Sequence, residues 1–355
     1  MPPSPQPRFL IAAGGTAGHV LPALAVAEEL EKRGASVTLA GRPDSVEEQL
    51  ARSAGLEFDA FPVEGLPRRV GVDLVRALAR DLVAPLACVR ILRRRRPAAV
   101  LGAGGYVGGP MVAAAGVLRI PAAQMEADAE LGLANRLAAP FAKRVFCAFP
   151  LEGRQEPQYR VVGRPIPARS RAPAQAEARA AFELRADGPV LLVFGGSQGS
   201  RVLNEAALTA FAESGPAVLH LAGERDFPEL DRRPRRDDYR LLALTVQFGA
   251  ALAASDLVVA RAGGSVWEVA AAGRPALLVP YPHATADHQA RNAQYFEQGG
   301  GAVVVAEDKL DLRRQVEELL GDPVRLGAMS ESMLALAKPD AAEVVAEELM
   351  ELARA

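Results

Sequence analysis

PVLLVFGGSQGSRVLN, residues 189–204, decides the reading of this chain, because a buried strand, a glycine turn and a helix start follow one another there without a break. Pro189 to Phe194 is an apolar run of strand length, and Gly195, Gly196 and Gly199 let the backbone turn tightly and approach a ligand. Ser197 or Ser200 can cap the helix, which continues through Val202, Leu203, Ala206, Ala207 and Phe211 at helical spacing. Free N–H groups at such a helix start, with the positive end of its dipole, suit a phosphate-like anion. The design recurs near the N-terminus, where Phe9 to Ala13 reads as a strand, Gly14 to His19 as the turn and Pro22 to Gly34 as a helix stopped by glycine. Two such units half a chain apart predict an α/β protein of two domains facing each other, with the chemistry between them.

Composition bounds this reading. A chain of 355 residues, half of them hydrophobic, has room for two cores and is not disordered. Its net charge of -2 gives no global signal for nucleic acid. Cys88 and Cys147 sit in apolar contexts without CxxC spacing, which supports neither a disulfide framework nor a zinc site and suggests a reducing compartment. The apolar run after the polar, Pro-rich residues 1–7 is too short for a signal peptide, and no segment is long enough to span a bilayer. The expected place is the cytoplasm, at most on a membrane surface.

Along the chain, Ser36 to Ala40 reads as a second strand and Val46 to Ala54 as a helix, the alternation of a parallel sheet covered by helices. From Val72 to Arg96, the residues Val75, Leu78, Leu82, Leu86, Val89 and Leu92 recur at helical spacing, with Arg76, Arg80 and Arg90 off that stripe and Arg93 to Arg96 closing the run. Two readings fit: a helix lying on an anionic membrane face, or a sheet-covering helix with a solvated basic end. Ala98 to Leu101 is a strand running into the glycines 102, 104, 105, 108 and 109, and Ile120 to Met125 is another, with Glu126 and Asp128 at its carboxyl end. Val145 to Ala148 is a further strand, and Val161 to Pro167 carries the signals of an interdomain linker. In the second half, strands fall at Val218–Leu221, within Leu241–Phe248, at Asp256–Ala260 and at Ala276–Val279, and helices at Leu310–Leu320 and Ala341–Ala353.

The residues narrow the chemistry. GxGxxG spacing fails in both glycine turns, since Ala13 and Phe194 hold the leading positions, and the second strand ends without an acid to grip a ribose. Neither turn carries a P-loop lysine. What remains is a diphosphate held by the N–H groups from Gly196 to Ser200, the Ser197 hydroxyl and a cation such as Arg164, as a nucleotide diphosphate leaving group requires. Glu126, Asp128 and Glu130 can be arranged as a metal cluster or as polar residues of a loop; no metal or other cofactor is expected. His19, after the first turn, is either the base for an acceptor hydroxyl or a helix-start residue that only bonds the loop. His220 reads as structural or a loop contact, and His283 and His288 lie in a plausible ligand loop.

Taken in order, Gly14–His19 with Pro22, Gly104-Gly105-Tyr106, Gly163–Ile166, Gly195–Gly199, Arg261-Ala262-Gly263, Glu268, and Gln289 with Asn292 resemble the motifs of the MurG-type N-acetylglucosaminyltransferases over nearly the whole chain. The resemblance implies the glycosyltransferase B fold, two Rossmann-like domains with parallel sheets facing a central cleft. It implies 1–163 as the acceptor and membrane-docking domain, 164–340 as the UDP-GlcNAc-binding domain and 341–355 as a helix returning to the first. The implied reaction transfers GlcNAc from UDP-GlcNAc to undecaprenyl-diphospho-N-acetylmuramoyl-pentapeptide at the cytoplasmic face of the cell membrane, reached through Val72–Arg96, with no nucleic acid involved. UDP-GlcNAc 2-epimerase and an inactive sugar-nucleotide-binding scaffold are the alternatives.

Carried over, the resemblance puts Gly15, Thr16 and Ala17 beside the donor sugar and His19, or Asp128, in the role of base. Arg164 and Ser197 would meet the diphosphate, the Thr245 backbone the uracil, Gly263, Gly264 and Ser265 the phosphates and ribose, Glu268 the ribose hydroxyls and Gln289 the sugar. Gly104, Gly105 and Tyr106 would face the acceptor. The sequence departs from the family at Ala17 (usually Gly), at Gly108 (usually a small hydroxyl residue), and at Met125–Asp128, where His-Glu-Gln-Asn is usual, so the donor contact of that Asn falls to Asp128. The loop from Arg261 to Glu268 also looks one residue short.

Overall fold

The computed structural model describes residues 6–15, 17–63, 72–170 and 172–354. The chain divides into two compact units, Met1–Pro167 with Pro339–Ala355, and Ala168–Lys338. The first holds β1 (Arg8–Ala12), β2 (Ser36–Gly41), β3 (Glu57–Ala60), β4 (Ala99–Gly102), β5 (Ala122–Glu126), β6 (Arg144–Cys147) and β7 (Tyr159–Val161). They form one parallel sheet in the order β3-β2-β1-β4-β5-β6-β7. Such a sheet is covered on both faces, so its strands are apolar throughout. Phe9 and Ile11 face the helices Ala17–Lys32 and Ala341–Leu352, while Leu10 and Ala12 face Val72–Arg95 and Gly105–Val117.

The second unit repeats the plan with β8 (Val190–Phe194), β9 (Ala217–Leu221), β10 (Tyr239–Leu242), β11 (Leu257–Ala260), β12 (Ala276–Leu278) and β13 (Ala302–Val304). The order is β10-β9-β8-β11-β12-β13, again all parallel. Each sheet reverses its winding once, between β1 and β4 and between β8 and β11, and open α/β sheets bind ligands beyond the carboxyl ends at such points. Both glycine turns singled out above start there.

Several local expectations change. The first helix begins at Ala17 and not at Pro22; the proline sits in its second turn, where the Gly18 carbonyl that its missing N–H leaves open accepts from Arg164. The strand expected within Leu241–Phe248 is Tyr239–Leu242, and Phe248 instead opens the helix Phe248–Ala254 with its ring edge-on to Phe194 at 5.2 Å. The strands β3, β7 and β13 were not anticipated; each is a short sheet edge without a clear apolar alternation.

Among the described side chains of the helix Val72–Arg95, those buried are Ala84, Cys88, Ile91 and Leu92. Of the stripe expected there, Leu86 is 71% exposed, Leu92 is buried, and Val75, Leu78 and Leu82 lie outside the described side chains. Arg94 and Arg95 are not idle at its end. Burial alone would raise the Asp59 carboxyl, but the Arg95 and Arg94 guanidiniums, at 2.8 and 2.7 Å, hold it below its ordinary value.

The last helix joins the first unit by burying Ala341, Val345, Ala346 and Leu349, and Glu348 pairs with Arg144 at 3.2 Å and with Arg160. Truncating a fully buried leucine removes transfer free energy and leaves a cavity. Leu349→Ala should therefore lower the unfolding free energy by about 2–5 kcal/mol, read by urea denaturation followed by circular dichroism.

Candidate functional site

In the first unit, β1 is followed by the turn Gly14-Gly15, and His19 lies on the first turn of the helix Ala17–Lys32. Its ring lies on the backbone of Gly104, beyond β4. Gly104 has φ +90°, and a Cβ there would come within 2.8 Å of His19 Cδ2, so glycine is required both by conformation and by space. The Tyr106 ring flanks Gly15. Thr16 lies outside the described residues, as does the side chain of Ala17. Pro22 has no N–H to give to the carbonyl four residues earlier, and that carbonyl, Gly18, accepts from Arg164 instead. A cavity beside His19 is lined by Pro22, Met125, Glu126, Phe146 and Arg164.

Glu126, at the end of β5, is buried and ties down the loop that follows. Its carboxylate accepts from Asp128 N at 3.2 Å, Gly132 N at 2.9 Å and Asn135 Nδ2 at 2.9 Å. Burial raises its pKa, and these donors only partly oppose that shift. Asn135, which the sequence reading passed over, also donates to the Met125 carbonyl at 2.9 Å, so the Met125–Asp128 segment is held from below. Asp128 is half-buried on that loop. Among the described residues no group of three His, Cys, Asp or Glu is gathered as a metal site; Glu126 closes β5, and Asp128 and Glu130 lie on the loop after it.

In the second unit, Ser200 and not Ser197 caps the helix Arg201–Phe211, while Ser197 is exposed on the turn. Ser200 Oγ also accepts from Arg261 Nε at 3.0 Å across the β8–β11 switch point. Arg261 is spent as a strut: it donates further to the Val279 and Pro280 carbonyls at 3.0 and 3.1 Å, pairs with Glu307 and lies over the Tyr281 ring. Gly263, Gly264 and Ser265 lead into the helix Val266–Ala271, with Glu268 half-buried in its first turn. Gln289 Oε1 accepts from Tyr281 N at 2.9 Å, and buried Asn292 donates to the Ala262 carbonyl at 3.2 Å. Thr245 is half-buried on the loop beyond β10. His283 packs its ring edge-on to Tyr281, and His288 bonds the Thr285 carbonyl.

Residues 9–147 match the glycosyltransferase family 28 N-terminal domain, and residues 190–345 match the family 28 C-terminal domain. The N-acetylmuramyl-(pentapeptide) pyrophosphoryl-undecaprenol N-acetylglucosamine transferase of Rubrobacter xylanophilus is 40% identical over 93% of this chain and 99% of its own length. The chain belongs to the MurG family of glycosyltransferases. The crystal structure of Acinetobacter baumannii MurG superposes with a TM-score of 0.75 at 27% identity, covering 98% of this chain and all of that one. A UDP-GlcNAc 2-epimerase from Neisseria meningitidis shares the fold at a TM-score of 0.65 and 14% identity, over 97% of this chain and all of its own. The two parallel-sheet units are thus the two domains of the glycosyltransferase B fold.

His220 gives the second unit a measurable signature. It is fully buried, and burial, with the nearby Arg235 charge, pushes its pKa from 6.5 down to about 3. Between those values the unfolded chain binds a proton that the folded chain refuses, so stability falls as pH falls through that window. Relative to His220→Gln, the wild-type chain should lose about 1.4 kcal/mol of unfolding free energy per pH unit below pH 6.5, compared by urea titrations at pH 7, 6 and 5.

Proposed function

We infer that this chain is an inverting N-acetylglucosaminyltransferase that carries GlcNAc from UDP-GlcNAc to undecaprenyl-diphospho-N-acetylmuramoyl-pentapeptide, forming lipid II for peptidoglycan. The observation that carries the inference is the end-to-end likeness to transferases of that name, with the glycine turns retained at both switch points. In this reading the first unit is the acceptor domain and the second the donor domain. His19 removes the proton of the acceptor hydroxyl, whose oxygen attacks C1 of GlcNAc as the bond from C1 to the UDP oxygen breaks. The departing diphosphate is met by N–H groups of Gly196–Ser200, by the Ser197 hydroxyl and by Arg164.

The other assignments follow the same reading. Thr245 offers its backbone to the uracil; Gly263, Gly264 and Ser265 border the phosphates and ribose; Glu268 takes the ribose hydroxyls. Gln289, Gly15, Thr16, Ala17 and Asp128 surround the sugar, and Gly104, Gly105 and Tyr106 face the acceptor. Asp128 is the second candidate for the base.

The reading is tested by UDP release from UDP-GlcNAc in EDTA, which should require a lipid-linked muramoyl acceptor. Release without acceptor would indicate an epimerase, and none a scaffold. His19→Ala should cut turnover ~10²-fold or more with UDP affinity retained; unchanged turnover in a folded variant removes His19 as base.

Membrane attachment is assigned to the face of the first unit where the helices Val72–Arg95, Gly105–Val117 and Leu133–Ala138 pack side by side. Among the described residues no helix is long and apolar enough to cross a membrane. This face nevertheless exposes Leu86, Val117, Leu137 and Phe141, with Arg90, Arg93, Arg136 and Lys143 also in solvent. Apolar side chains beside cations match an anionic bilayer surface. Leu86→Asp with Leu137→Asp should weaken sedimentation with phosphatidylglycerol vesicles by about tenfold or more, from the burial free energy of two leucines. Equal binding would move the contact elsewhere.

A further inference from the structure

Beneath the Gly196–Ser200 turn lies a chain of buried polar groups that the proposed mechanism does not use. The Tyr239 hydroxyl, His220 and Asn204 are linked by a 2.8 Å bond to His220 Nδ1 and a 3.0 Å bond from His220 Nε2 to Asn204 Oδ1. Asn204 Nδ2 then donates to the Ala222 carbonyl at 2.9 Å and to Asp226 Oδ2 at 3.0 Å. These partners settle every proton. The Asn204 oxygen can only accept, so Nε2 of neutral His220 carries the hydrogen, Nδ1 is a bare acceptor, and Tyr239 must donate to it. The chain thus has one direction and no unpaired member along it.

Its end point is mechanically placed. Ala222 and Gly223, just past β9, press against Gly199: a Cβ on Gly199 would stand 2.1 Å from the Ala222 carbonyl oxygen, and one on Gly223 would stand 2.3 Å from Gly199 N. On the other side, Ala222 N and Gly223 N donate to the Leu242 and Ala243 carbonyls, both at 2.9 Å. Those two residues lead directly into Leu244 and Thr245. The segment Ala222–Gly223 is therefore wedged between the phosphate turn and the loop proposed to hold the nucleobase. β10, at the sheet edge, has a strand neighbour on one side only, and the Tyr239 hydroxyl ties its start to the interior of β9.

We propose that His220 and Tyr239 are positioning residues for the donor nucleotide, acting through Asn204 and Ala222 to set the spacing between the Gly196–Ser200 turn and the Thr245 loop. The proposal rests on the donor assignment made above. Apolar packing alone could stabilise this interior, but a directed chain of hydrogen bonds also selects one arrangement of the groups it joins. A nucleoside diphosphate bound at two points is sensitive to that arrangement, because a small misplacement loses contacts at one end.

The test is UDP binding by titration calorimetry on the full chain, with steady-state kinetics for both substrates and a melting temperature for each variant. Tyr239→Phe keeps the ring and removes the donor to Nδ1. It should raise the Kd for UDP and the KM for UDP-GlcNAc about 3- to 10-fold, leaving kcat and the acceptor KM near wild type. His220→Leu should act in the same direction and more strongly, whereas His220→Gln, whose amide can still donate to Asn204, should recover most of the affinity. Variants that melt earlier yet bind UDP with the wild-type Kd would overturn the proposal. If His220→Leu does not fold, Tyr239→Phe decides alone. A wild-type chain that fails to bind UDP removes the donor assignment and this proposal together, while a UDP-binding wild type with unaltered variants removes this proposal only.

Discussion

Backbone brought closer than any side chain would permit is the constraint on which both halves of this protein depend. At Gly104 it lets the His19 ring rest on the chain beyond β4; at Gly199 it lets the start of a helix lean on the end of β9. In each case the glycine lies beyond the carboxyl end of a strand at the sheet's reversal point, where open α/β sheets bind ligands. An added methyl group at either position would collide with a carbonyl or a ring, so neither position has room for a side chain.

Main chain held so closely needs support from below, and the buried polar side chains supply it. Glu126 gathers three donors to hold the loop after β5, Arg261 spans from Ser200 to the β12 end, and Asn204 fixes the carbonyl of Ala222. Each is buried, so each would be costly if left unpaired. The bonds of Glu126 fix a single loop, while those of Arg261 and Asn204 join segments far apart in the chain. Arg164 illustrates the same economy of groups: the carbonyl that it takes is the one Pro22 cannot satisfy.

The departure at Met125–Asp128 is instructive in this setting. The acid of that motif, Glu126, does structural work through Asn135 and Gly132, and this work does not depend on what stands on either side of it. Met125 lines the cavity beside His19 together with Pro22 and Phe146.

Sequence alone determined the alternation of strands and helices, the two glycine turns and the order of the motifs, because strand burial on both faces and the demands of tight turns leave local marks. The edge strands β3, β7 and β13 left too faint a pattern, and the start of the first helix was hidden by Pro22, which reads as a beginning but sits inside. Only tertiary structure decided that Arg261 is a strut and that Tyr239, His220 and Asn204 form one chain. The physical reason is common to both. Each depends on which distant residue supplies the other half of a hydrogen bond or a buried contact, and that is a property of the folded sheet order that no local spacing records.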